Sequence, residues 1–437
     1  MIQRLWYGLC GLWVDSAMFL FYRRRVYTGK EKIPMKKGII FSANHQNAFM
    51  DAFVASLAIW TRKQIGFMVR ADVFKNKLFG AFLYSLRLIP AYRMRDGVEN
   101  LSKNDETFEH CKKLLRRRKA FIIFPEANHA IPRRMRTLKK GIARIFFGNQ
   151  QEEGFNDEAC IVPMGINYTD PEFFGGELLI NYGEPIYASD YKTDFEENPA
   201  RAYRNLLKEL EHRMRPLMID IRSKEYYDTI EGALSIATNH VKGRKSDPRE
   251  RFSFQQEMIL RLDEKVEVND WAEDLSKKVS RYTALRNKLN LRDWVFDHKD
   301  FPVGSILLRI LLLVITFPVF LAGTAIHYFA FMWPHWFSNQ KIKDPAFRSS
   351  IKSIIGLTII SLLYYAIIIV SAILLDPWWL AFPVIAGVAI SGRIALQWVR
   401  VYRKVKAMGN YNAMDKQGKR ELEEARKLRK EILEMTL

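Results

Sequence analysis

The sequence predicts an α/β domain with a mostly parallel sheet flanked by helices, followed by a helical region and C-terminal membrane helices. Three observations carry that expectation. Short β-type runs alternate with helical stretches from Gly38 to about Gly183, the pattern of strand–helix units. Strand signals fade and charged helices take over between Pro199 and Pro302. Three long apolar runs then follow, Ser305 to Met332, Ile354 to Leu375 and Trp378 to Val399. At 437 residues, 49% of them apolar, the chain has material for one sizeable domain and more beside it.

Residues 1–29 are expected to form an interfacial membrane-anchoring helix. Trp6, Tyr7, Leu9, Leu12, Trp13, Met18, Phe19 and Phe21 are mixed with Arg4 and Asp15, and the triplet Arg23, Arg24, Arg25 closes the stretch. An aromatic-rich helix with flanking arginines suits the interface better than a clean span; the competing expectation is a core helix of the first domain. Asp15 and the lack of a small-residue cleavage site argue against a signal peptide.

Residues 30–220 hold the α/β domain, with strands expected at Gly38 to Ala43, Ile65 to Val69, Leu88 to Tyr92, Ala120 to Phe124, Cys160 to Asn167 and Leu178 to Tyr182. Sites in such sheets gather at the carboxyl ends of strands. Tyr203, Leu206, Leu207, Leu210, Met214 and Leu217 have helical spacing, as a helix packed on that domain would. Residues 221–302 form a charged helical region, with Val241 to Arg251 expected as an exposed loop.

Residues 303–400 are expected to be membrane segments arranged as helical hairpins. At 1.5 Å rise per residue each apolar run can address a hydrocarbon core of roughly 30 Å. Asp376 and Pro377 break the last two runs, and Pro318 divides the first, where a re-entrant hairpin is expected. Basic residues on both the loop of Lys341, Lys343, Arg348 and Lys352 and the tail from Arg400 favour that arrangement over three simple spans. Arg393, inside the last run, is expected to snorkel. Residues 401–437 read as a basic helical tail, with Glu423 four residues before Lys427.

A net charge of +20 implies an anionic partner: nucleic acid, an acidic membrane surface or a phosphorylated substrate. The apolar runs favour the membrane. Basic residues spread over the whole chain without a recognised motif argue against nucleic acid. Cys10, Cys111 and Cys160 lack metal-ligand spacing, so neither a disulfide scaffold nor a metal site is expected. A reducing, cytoplasmic face of a membrane is the location this predicts for the catalytic domain.

The chemistry centres on the stretch from Ser42 to Asp51, where His45 and Asp51 follow an apolar β-type run and precede a helical one. An imidazole can take a proton from a hydroxyl, and a carboxylate on its far nitrogen fixes the tautomer and stabilises the imidazolium. No activated serine or cysteine motif lies nearby, so the pair points to activation of a substrate hydroxyl rather than a covalent intermediate.

Four blocks in order, NHQNAFMD, IPAYR, FPEANH and IVPMGI, resemble those of the glycerolipid acyltransferase family, the PlsC-type enzymes that include lysophosphatidic acid and glycerol-3-phosphate acyltransferases. The resemblance covers roughly residues 30 to 220. It departs from the family at two places: five residues rather than the usual four separate His45 from Asp51, and Ala127 stands where the third block usually has glycine. The resemblance implies an acyl thioester donor, acyl-CoA or acyl carrier protein, consumed as co-substrate with no further cofactor, and an anionic glycerolipid acceptor. His45 would be the general base, Asp51 its orienting partner, and Asn44, Arg93, Glu126 and Asn128 the acceptor-binding groups. Arginine suits phosphate through its forked donors. The basic cluster of Arg133, Arg134, Arg136, Lys139 and Lys140 fits phosphate, donor or lipid-headgroup binding, or a solvated face. A non-catalytic, lipid-binding membrane adaptor is the rival expectation, supported by the two departures and opposed by the intact His45, Asp51, Arg93 and Glu126.

Overall fold

The computed structural model describes residues 2–92, 103–171, 175–243, 246–342 and 345–437. The chain forms two compact units, Met1–Asp220 with Asp344–Ser350, and Ile221–Lys343 with Ile351–Leu437.

The first unit opens with α1 (Ile2–Phe21) and β1 (Arg24–Thr28), then alternates β2 (Gly38–Ala43), α2 (Ala48–Ser56), β3 (Ile65–Arg70), α3 (Lys77–Ser85), β4 (Leu88–Ala91), α4 (Lys103–Arg116), β5 (Ala120–Ile123), α5 (Gly141–Glu153), β6 (Ala159–Tyr168), β7 (Glu177–Tyr182), β8 (Ile186–Tyr187), α6 (Lys192–Glu197) and α7 (Pro199–Met214). The sheet order is β1-β7-β6-β2-β5-β3-β4, with β8 on β6. Only the β6–β7 and β6–β8 pairs are antiparallel; the rest run parallel. Central β2 and β5 are buried along their whole length, as strands covered on both faces must be.

All six expected strands are present, together with two that the sequence hides. β1 lies at the sheet edge with two arginines, so it lacks an apolar signature, and its pairing with β7 carries the sheet back before residue 30. β8 is two residues long. The helices cover the sheet by spacing: Thr107, Cys111 and Leu115 of α4 and Ala202, Leu206, Leu210 and Met214 of α7 are buried at four-residue intervals. Asn198 caps α7 by accepting from Arg201 N at 3.1 Å, with Pro199 at the first helical position. In β6, Gly165 passes so close to Leu217 that a Cβ would lie 1.9 Å from its carbonyl oxygen. α1 docks one face: the Tyr7 hydroxyl accepts from Ile65 N at 3.0 Å, Trp6 Nε1 donates to Ser85 Oγ at 3.1 Å, and Ala17 and Met18 are buried. Leu5, Leu9, Leu12 and Phe19 stay exposed.

The second unit is helical: α8 (Tyr227–Val241), α9 (Pro248–Lys265), α10 (Asn269–Lys288), α11 (Val303–Lys341), α12 (Pro345–Leu374, whose first turns belong to the first unit), α13 (Ala381–Lys416) and α14 (Arg420–Thr436). The loop expected through Arg251 ends at Asp247, whose carboxylate accepts from Arg249 N at 2.8 Å while Pro248 starts α9. Among the described residues three helices are long and apolar enough to cross a membrane, Val303–Lys341, Ser350–Leu374 and Trp378–Lys416. The first runs unbroken through Pro318 and Pro334, which corrects the expected re-entrant hairpin. One missing backbone bond at a proline costs less than the unpaired groups a chain break would expose to hydrocarbon. α11 and α13 approach closely at Gly323, where a Cβ would sit 2.3 Å from Ser391 O, and Trp398 Nε1 donates to Leu313 O at 2.9 Å.

Candidate active site

Three adjacent parallel strands, β5, β2 and β6, end on the same edge of the sheet and deliver the residues of the site. β2 runs out at Ala43 into Asn44 and His45, β5 at Ile123 into the loop carrying Glu126, and β6 at Tyr168.

His45 Nδ1 lies 2.8 Å from Asp51 Oδ2, across the longer spacing noted in the sequence. Ala48, at φ 38°, turns the chain into α2 so that Asp51, four residues after Asn47, faces back toward the loop. Asp51 is fully buried, and Oδ2 also accepts from Gln46 N and Asn47 N, each at 2.7 Å. Its other oxygen accepts from the Tyr168 hydroxyl at 2.6 Å. The carboxylate therefore has four donors, enough to hold a charge away from water. Burial, then the Asp51 charge, push the Tyr168 phenol well above its ordinary range, so it stays a donor.

The His45 ring stacks on Phe124 at 4.2 Å and meets His129 edge to face at 5.5 Å. His129 in turn meets Phe347 at 4.8 Å, and Phe347 meets Phe49 at 5.2 Å. Ser350 Oγ accepts from Met50 N at 3.0 Å at the start of α2. These contacts from Phe347 and Ser350 were not legible in sequence, being made about 300 positions away.

Glu126 is buried, and one oxygen is held by Arg136, whose Nε donates at 2.8 Å and whose Nη2 reaches both that oxygen and the His45 carbonyl. The other oxygen, Oε1, is buried with no hydrogen-bond partner among the described residues. Burial raises the Glu126 carboxyl above the usual carboxylate range, with the Arg136 guanidinium pulling the other way. Arg136 is the cluster member that sequence reasoning did not single out, because nothing in a run of cations says which one turns inward.

Asn44, expected at the acceptor, is spent on the sheet instead: Nδ2 donates to Ile166 O at 3.0 Å and Oδ1 accepts from Ile166 N at 2.7 Å. It locks the start of the loop that carries His45 to β6. Asn128 is exposed on the loop after β5, as are Lys139 and Lys140, while Arg133 and Arg134 are half-buried. Ala127 is exposed at φ 64°, the left-handed region that glycine enters without steric cost, which gives the physical reason for the family's usual residue there. Arg93 lies outside the described residues. Among the described residues no group of three histidine, cysteine or carboxylate side chains is placed to hold a metal ion.

Among known protein families, the one described as Acyltransferase matches residues 24–167. That stretch contains all four sequence blocks and begins at the first residue of β1, and the match bears out the family resemblance. Among solved structures the chain is similar to the 1-acyl-sn-glycerophosphate (LPA) acyltransferase PlsC from Thermotoga maritima, at 16% identity and a TM-score of 0.33, over 47% of this chain and 80% of that one. No curated protein matches.

Proposed function

We propose that the protein, whose residues 24–167 match the acyltransferase family, is a membrane-bound enzyme that moves a fatty acyl group from a thioester to a hydroxyl of glycerol 3-phosphate or 1-acylglycerol 3-phosphate in phospholipid synthesis. The observation that carries this reading is the His45–Asp51 contact at 2.8 Å, with the carboxylate buried. With Nδ1 engaged by Asp51, Nε2 is the nitrogen left for substrate. It removes the acceptor hydroxyl proton as the oxygen attacks the thioester carbonyl, and the imidazolium returns that proton to the leaving thiolate as the tetrahedral intermediate collapses. No acyl-enzyme forms. The donor is acyl-CoA or acyl carrier protein.

Acceptor binding falls to the loop after β5. Glu126 keeps one buried oxygen unpartnered, suited to a free glycerol hydroxyl, while Arg136 fixes the other. Arg93, with Arg133, Arg134, Lys139 and Lys140, supplies positive charge for the phosphate or the donor. The membrane helices and the exposed apolar face of α1 keep the domain at the lipid surface, on the cytoplasmic side.

The test is acyl transfer by membranes carrying the wild-type chain or His45→Ala, with labelled donors offered glycerol 3-phosphate, lysophosphatidic acid and other lysolipids. Transfer to one acceptor that vanishes in the variant is expected. A folded, membrane-inserted wild type that acylates none of them refutes the reading in favour of a lipid-binding adaptor.

A further inference from the structure

The His45–Asp51 pair has a third member. Asp51 Oδ2 gathers three donors, His45 Nδ1 and the amides of Gln46 and Asn47, all from the loop that leads into its own helix. Oδ1 has a donor from outside that loop. The donor there is Tyr168, 117 residues away, whose hydroxyl stands 2.6 Å from it at the end of β6. Tyr168 is itself buried, and its ring stacks on Tyr22 at 6.1 Å, so the phenol has little freedom to swing. β6 is held in place beneath it: Asn44 pairs with Ile166, and Asn167 accepts from Ile219 N at 3.0 Å and donates to Leu217 O at 2.9 Å.

We propose that Tyr168 is a positioning residue for the catalytic histidine, acting through Asp51: its hydroxyl fixes the carboxylate plane and draws negative charge toward Oδ1. The inference rests on the acyltransferase reading above. Two consequences follow. Without the phenol the carboxylate can rotate, and the imidazole with it, so turnover falls. The charge no longer shared with Tyr168 concentrates on Oδ2 and stabilises the imidazolium, so the acid limb of the pH–rate profile moves to higher pH. The other titratable and charged groups facing the pair are Tyr22 beside Tyr168, His129 against the His45 ring, and the Glu126–Arg136 pair at the His45 carbonyl.

Tyr168→Phe removes the donor and keeps the ring. The expected result is a loss in kcat of roughly ten- to a hundredfold, the range for one hydrogen bond to a charged group. KM for both substrates should stay within about twofold, and the acid limb of kcat/KM should move upward. 3-Fluorotyrosine at position 168, a stronger donor of nearly the same size, should move the limb the other way and guards against a misfolded phenylalanine variant. Tyr168→Phe made on top of Asp51→Asn should cost little more, because its route to His45 is already cut. A purely structural tyrosine would lower kcat in proportion to lost folded protein and leave the limb in place in both variants; that outcome overturns the inference while leaving the enzyme reading intact. An inactive wild type would overturn both.

Discussion

Replacing Asp51 with asparagine changes one charge and almost no shape. The asparagine carbonyl can stand where Oδ2 meets Gln46 N, Asn47 N and His45 Nδ1, and its amide can donate to the Tyr168 oxygen in the place of Oδ1. The hydrogen-bond count and the histidine tautomer survive, so the fold should too. What disappears is the attraction between carboxylate and imidazolium in the transition state. With charge centres about 4 Å apart and an effective dielectric of about 20, that attraction is about 4 kcal/mol, worth roughly a thousandfold in rate. Initial rates at saturating donor and acceptor should fall by that order, the acid limb should move to lower pH, and the thermal midpoint should hold within a few degrees. A folded Asp51→Asn enzyme within tenfold of wild type would show that the buried carboxylate contributes orientation and little electrostatic work, refuting the reasoning.

Four further outcomes are expected. Ala127→Gly should stabilise the domain by about 0.5–1 kcal/mol in a denaturant titration, because the exposed alanine is held at φ 64°. Arg429→Ala should destabilise the helical unit by about 3 kcal/mol in the same assay, since buried Arg429 is paired with Asp293 at 3.0 Å and Asp297 at 2.7 Å and its loss leaves buried Asp293 with the Tyr282 hydroxyl but no counter-charge from Arg429. Lys63, whose ammonium burial pushes down to about 8, donates to Met35 O and Lys37 O at 2.8 and 2.6 Å; at pH 8 it should outcompete exposed Lys139 and Lys140 for an amine reagent, read by mass spectrometry, with the advantage disappearing above pH 10. Cysteines introduced at Lys288 and at Glu421, which pair at 2.6 Å, should be labelled by an impermeant thiol reagent from one and the same side of sealed membranes.

The parallel core was legible because physics leaves such strands little choice: β2 is buried on both faces, so it reads as an unbroken apolar run whose bounds the sequence marks to the residue. β1 was not, because an edge strand needs no buried face and its arginines have their own partners, Arg24 on Glu177 and Arg25 on Asp15. In the site, His45 and Glu126 stand where apolar runs end and Asp51 lies in the helix after the first of them, and a reader can find them there. Tyr168 also ends a run, but only the placement of β6 beside β2 aims its phenol at Asp51. Asn44 shows what sequence position leaves out: a polar side chain beside His45 suggests substrate, and its buried amide also satisfies the open backbone edge at Ile166.

Packing within the helical unit also constrains how its apolar helices meet a bilayer. Phe301, just before α11, exchanges two hydrogen bonds with Asn412 near the end of α13, at 3.0 and 2.7 Å. α14 then lies along α10, tied by Arg281 to Glu424 at 2.7 Å and by Lys288 to Glu421 at 2.6 Å. The chain thus enters and leaves its apolar helices at one level, and an even number of crossings between residues 303 and 416 is the expectation that the labelling at positions 288 and 421 checks. Three independent spans would put α10 and α14 on opposite faces and break each of those bonds. The sequence raised the same conflict through its basic loop and tail and placed the irregularity at Pro318, but α11 is continuous there. An even count would then arise elsewhere in the three helices and would leave the basic tail beside α10, where Glu424 and Glu421 find their partners.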